Sequence, residues 1–255
     1  MLKYVLCLSA GLLMFNALVV ANDYVNDEAA KKGAVREAGR IYEAVSGKKP
    51  TLDNLLKSLE EPTEKTYKDN EDIIKLKSGE YLIKIKPTAK SEARGALRVL
   101  LLMEPKTNEI AEKVLKCSEA YKDEIGIRLH CGEYLIKVES KRNQGIEILR
   151  SLIRDPKADL GYKLLAASSL TEVGILDGYS LVREGLMAKE IADKRLATYL
   201  LKKFIPYNGK PYNEKGDKIN IEEIVISFKD KVGPETSAEL SSIQQMLHQK
   251  SKDQK

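Results

Sequence analysis

The sequence predicts a mainly α-helical protein, an α-solenoid of stacked helical hairpins closed by an N-terminal and a C-terminal cap. Three observations predict it. A residue followed by a small pair at +3 and +4 and an aliphatic at +7 recurs from Arg128, Lys163 and Lys194, anchors 35 and 31 residues apart, with a weaker copy from Ala93. Between the copies, GIEILRSLI (145–153) and GYSLVREGL (178–186) return Ile, Leu and Val every three or four residues, the period of a helix with one apolar face. A hairpin of two such helices cannot bury its apolar side alone, so units repeated at this spacing must stack.

The chain opens with Lys3 and an almost unbroken apolar run from Tyr4 to Val20, with small residues Val19 and Ala21 before polar sequence. That is the form of a secretory signal peptide over 1–21, cut after Ala21 to leave Asn22 as the mature start. An uncleaved anchor is the competing reading, because the run is only a little shorter than the ~20 residues that cross a bilayer. Asn16 inside the run and the lack of a basic cluster behind it weigh against that, so no stable membrane insertion is expected after cleavage. Cys7 comes too early for a lipoprotein signal. The expected location is the periplasm or the exterior of the cell.

Without Lys3 the remaining chain carries 42 basic and 38 acidic residues. These are interspersed, as on a solvated surface, and no dense Lys/Arg stretch of the kind that grips nucleic acid occurs, so a nucleic-acid partner is not expected. Two cysteines follow the signal, Cys117 and Cys131. In an oxidising compartment they can form a disulfide; as small apolar side chains on neighbouring helices they can equally be buried thiols.

Residues 22–88 read as the N-terminal cap. Ala29, Ala30, Ala34, Ala38, Ile41 and Ala44 give a helix over 24–46 ended by Gly47 and Pro50, and TLDNLLKSLEEP gives a shorter one ended by Pro62. The alternation in DIIKLKSGEYLIKIKP (72–87) around Ser78-Gly79 fits a β-hairpin, although GEYLIKIK (79–86) recurs as GEYLIKVE (132–139) inside a repeat, where helix is expected. Both forms stay open for 72–87. The repeats occupy 89–205. Residues 206–250 form the C-terminal cap: a turn-rich loop with Pro206, Gly209, Pro211 and Gly216, then INIEEIVISFKDKV as helix or strand, then a helix over 236–249 with Leu240, Ile243 and Leu247 on one face. The tail 251–255 is expected to be disordered.

DPKADLGYKLLAASSLTEVGILDGYSLVREGL, residues 155–186, resembles a HEAT repeat of the short bacterial type. Asp155-Pro156 matches the inter-repeat turn, Lys163 the usual basic position, Ala166-Ala167 and Leu170 the small pair and leucine, while Gly174 and Gly178 flank the turn between helices. The spacing before Lys163 is two residues longer than is commonest, and Cys131-Gly132 replaces the alanine pair in the preceding copy. The resemblance covers about 90–205 and implies a helical solenoid that binds proteins. Some relatives are chromophore lyases, but no motif here carries that activity across.

Chemistry-bearing residues are sparse. The chain has two histidines, and His130, beside Cys131, is expected at the surface because adjacent helical positions point ~100° apart. Glu60-Glu61 and Glu222-Glu223 read as solvated faces. No Gly-rich phosphate loop, nucleophile elbow or CxxC pair appears. No catalytic residue, metal site or cofactor is therefore expected, and the chain is not expected to be an enzyme. The expected partner is another protein. Tyr207, Asn208 and Tyr212 in the turn-rich loop, and Glu147, Arg150, Arg183 and Glu184 on the second helices, are the candidate contact residues. The function expected is that of an exported scaffold, adaptor or inhibitor, such as a periplasmic immunity protein. The alternatives are an envelope enzyme or lyase-like protein on the same frame, and a self-associating envelope component.

Overall fold

The computed structural model describes residues 28–60, 72–75, 82–85, 88–103 and 106–253. The export signal expected over 1–21 lies outside these residues. Among the described residues the protein is mainly helical, and no helix is long and apolar enough to cross a membrane. The chain divides into two compact units, 1–145 and 146–255.

In the first unit α1 (Glu28–Ser46) is followed by α2 (Leu52–Lys57), α3 (Ala89–Leu102), α4 (Asn108–Ala120) and α5 (Ile125–Leu135). The starts are set by threonines. Thr51, Thr88 and Thr107 each accept a hydrogen bond from the backbone N–H three residues on, and Thr88 with Ser91 completes a capping box. Helix α3 ends where Lys106 reaches back to the carbonyls of Leu100, Leu101 and Met103, and its ammonium lies over the Tyr134 ring. The α1–α3, α3–α5 and α4–α5 pairs pack around Tyr42, Leu97, Leu100, Ile127, Leu129 and Leu135. Segments β1 (Asp72–Lys75) and β2 (Leu82–Ile85) pair antiparallel, but the turn at Ser78-Gly79 lies outside the described residues, as does the hairpin expected over 72–87 taken as a whole.

Helix α6 (Arg142–Arg154) starts in the first unit and ends in the second. Then come α7 (Leu160–Glu172), a 3-10 turn at Asp177–Ser180, α8 (Leu181–Met187), α9 (Ile191–Lys203), α10 (Ile221–Phe228) and α11 (Pro234–Asp253). The small pairs are all buried: Cys131-Gly132 on α5, Ala166-Ala167 on α7 and Ala197-Thr198 on α9. A glycine meets each of them. Added Cβ atoms would strike the Ala167 Cβ at Gly178, the Ala197 Cβ at 2.6 Å from Gly185, and the Gly132 oxygen at 3.0 Å from Gly145. Gly174, at φ +80°, ends α7 with the Ile175 N–H donating to Leu170 O, a six-residue closure available to glycine without strain.

Three expectations are corrected. GEYLIKVE (132–139) is helical only to Leu135, because the following residues leave the helix for 3-10 turns closed by Lys137 N–H to Tyr134 O and Val138 N–H to Leu135 O. The tail is not wholly disordered: with no Gly or Pro after Pro234, α11 continues to Asp253. His130 is not at the surface, being 6% exposed, because α5 has buried residues on successive positions rather than along one stripe. The segment left open as helix or strand is helix α10, with Asn220 as its N-cap.

Candidate binding cleft

The second unit contains an open cleft of about 820 Å3 built from three segments distant in sequence. The last turns of α6 supply Arg150, Ile153 and Arg154. The α7–α8 connection supplies Gly174 to Asp177 and Ser180. The turn-rich loop supplies Pro211 to Glu214.

That loop is ordered by its own backbone. Gly209 N–H donates to Ile219 O at 2.8 Å, Ile219 N–H to Lys210 O at 2.9 Å and Tyr212 N–H to Asp217 O at 2.9 Å, forming a tight ribbon turned by Gly209 and Gly216 at positive φ. The Tyr212 ring lies 4.9 Å from Tyr179, whose ring meets Phe204 edge-on at 5.1 Å. Tyr179 is buried, its oxygen accepts the Asn220 N–H at 2.9 Å, and burial raises its phenol pKa. The aromatic wall is therefore anchored in the core, and Tyr212 presents its outer part to the cleft.

On the opposite wall Arg150 Nε donates to Asp177 Oδ2 at 2.7 Å, and its Nη1 donates to Glu147 Oε1 at 3.4 Å. This fixes the α7–α8 connection against α6. Arg154, four residues on and so on the same helix face, is exposed. Ile153, Ile175, Leu176 and Pro211 supply apolar surface between the charges.

Of the residues expected to contact a partner, the cleft brings together Arg150 and Tyr212. It does not include the rest. The Tyr207 hydroxyl donates to Thr171 O at 3.3 Å, and Asn208 Oδ1 accepts the Ile221 N–H at 3.1 Å, so both hold the loop in place. Arg183 pairs with Glu223 on α10 at 2.5 Å, and Glu184 is exposed beside it. Arg154, Asp177 and Glu214 were not anticipated. The i, i+4 arginines of α6 were the available signal for Arg154; nothing in the sequence pointed to the other two.

Cys117 and Cys131 are both thiols, fully buried and in hydrogen-bond contact across the α4–α5 packing. Burial, with Cys117 beside it, pushes the Cys131 thiol well above its usual pKa, so it is protonated at neutral pH. Among the described residues no group of three or more His, Cys, Asp or Glu is placed to hold a metal ion. Compared with protein-family models, with curated proteins and with solved structures, the chain finds no match in any of the three.

Proposed function

We propose that this chain is an exported protein-binding scaffold, adaptor or inhibitor of the HEAT-like kind, and that it grips its partner in the cleft between α6, the α7–α8 connection and the 211–214 ribbon. The observation that carries the reading is the convergence of Arg150 and Tyr212 on one rigid-walled cleft. An aromatic anchored behind by Tyr179 and Phe204 offers contact area at little entropy cost. The arginines and the apolar floor add directional and non-directional attraction respectively. The apolar run of residues 4–20 supports export to the periplasm or beyond, with cleavage after Ala21. A periplasmic immunity protein that neutralises a delivered toxin is one concrete form of this role.

The cleft favours binding over catalysis. Its Arg150 and Asp177 side chains are about a third exposed and paired with each other, an arrangement that holds two walls together. The test places a photo-reactive residue at Tyr212 and, in a separate protein, at exposed Lys189 outside the cleft. One protein captured at 212 alone, with capture lost on Arg154→Glu, is the expected result. Equal capture from both positions, or none, overturns the reading. The N-terminal residue of the exported protein, read by mass spectrometry, is expected to be Asn22.

A further inference from the structure

His130 sits in the first unit between two helices that both present charge to it. Its Nε2 accepts a hydrogen bond from Arg98 Nε at 3.1 Å, across the α3–α5 packing, and its Nδ1 lies 2.9 Å from Glu133 Oε2 on its own helix. Arg98 and His130 are each 6% exposed, and the Glu133 side chain is 12% exposed.

A guanidinium can only donate, so the ring atom that meets Arg98 must hold a lone pair. The single proton of a neutral imidazole is then on Nδ1, where it is donated to Glu133. Both ring nitrogens are committed, and the tautomer is fixed by the neighbours. The charged groups that face the ring are Arg98 and Arg94 from α3, and Glu133 from α5. A second proton would have to enter at Nε2, donor against donor with Arg98, and would set a third cation beside Arg98 and Arg94. An ordinary His–Glu pair tightens on protonation. Here burial, with Arg98 and Arg94 adding to it, outweighs that pairing.

We propose that Arg98, His130 and Glu133 form an acid-released latch: it holds α3 on α5 while the imidazole is neutral and opens that contact when the imidazole is protonated. Arg98 has to leave Nε2 before the ring can charge, and because Arg98 is itself buried, its departure separates the two helices locally. Burial holds the imidazole below its usual pKa, with Glu133 opposing in part, which keeps the latch closed near neutrality. Among the described residues of the second unit the buried polar groups are hydroxyls, with no such relay.

The full-length chain tests this directly, because its two histidines give two ring signals and His248 lies exposed on α11. Nitrogen NMR at pH 7.5 is expected to show His130 protonated on Nδ1 and bare on Nε2. On acidification to pH 5, amide exchange in α3 and α5, corrected for its intrinsic pH dependence, is expected to rise several-fold. Amides of α7 and α9 should hold. His130→Gln keeps an acceptor for Arg98 and a donor for Glu133 but cannot titrate, so it should lose that rise. A proton on Nε2 at pH 7.5, exchange indifferent to pH, or the same rise in His130→Gln overturns the latch. Should the variant not fold, the tautomer and exchange of the unaltered chain decide alone.

Discussion

The two units solve the same packing problem by different means. In the first, buried charge fixes how the helices meet. Glu92, 3% exposed on α3, accepts from Lys48 Nζ at 2.7 Å and from Ser58 Oγ at 2.6 Å, and Ser58 lies 2.8 Å from the Tyr42 hydroxyl, so one carboxylate ties α1, the end of α2 and α3 together. Arg98 and His130 do the same for α3 and α5. Among the described residues of the second unit the buried polar groups are hydroxyls, and Thr171 and Thr198 bond within their own helices, to Ala167 O and Lys194 O, both at 2.8 Å. Contact there is set by glycine against alanine, Gly178 on Ala167 and Gly185 on Ala197. Directional bonds join α1, α2, α3 and α5 in the first unit, where Gly145 against Ile136 is the exception, and missing atoms set the contacts of the second.

The contrast can be broken at its strongest point by Glu92→Leu, which removes the acceptor that Lys48 and Ser58 share. We expect a loss of about 3 kcal/mol, the low end for breaking a buried pair because Lys48 can turn to solvent. Urea unfolding measures it, and a loss under about 1 kcal/mol would show that charge does not hold the first unit. Next in size is Gly178→Ala, whose new methyl overlaps the Ala167 Cβ. Overpacking of this kind costs about 1–3 kcal/mol. Thermal unfolding unchanged by the substitution would mean that α7 and the following turn can slide apart freely.

A third effect follows from His130. Its folded pKa lies below the unfolded value of 6.5, so the stability it contributes is complete above pH 6.5 and is lost as the pH falls from there towards the folded value. The unfolding midpoint of the unaltered chain should therefore fall more between pH 7 and pH 5.5 than that of His130→Gln. Equal slopes would remove His130 from the account. The smallest effect sharpens the comparison from the other side. Gly95→Ala places a methyl at an ordinary 3.5 Å from Tyr42, and alanine favours helix, so it should be neutral or stabilise by up to about 1 kcal/mol. A clear loss there would mean that the α1–α3 contact also depends on an absent side chain.

This division explains what could be read in advance. The repeat is plainest at Asp155–Leu186, where small residues do the packing and leave a compositional trace in Ala166-Ala167, Gly174 and Gly178. It fades around Cys131-Gly132, where Arg98 and His130 have taken over part of that work. Helical periodicity assigns one buried face to a helix, so it placed His130 outside; α5 is covered on several sides by α3 and α4, and its partner charge lies 32 residues away. The cleft was half legible. Arg150 and Tyr212 were singled out separately, yet their meeting depends on three segments that no local pattern connects. Tyr207 and Asn208 look like recognition residues for the reason that makes them good loop anchors: both carry polar groups that reach backbone.

The glycine contacts also bear on the order of assembly. The partners of Gly178 and Gly185, Ala167 and Ala197, are near along the chain, so each contact closes only a short loop and can form before the rest of the molecule is in place. Lys48 and Glu92 stand 44 residues apart and must wait for a much longer search. Synthesis delivers the first unit first, but short-range closure gives the second the faster kinetics, and a chain caught midway through refolding should have its C-terminal helices packed while its N-terminal helices are still finding one another.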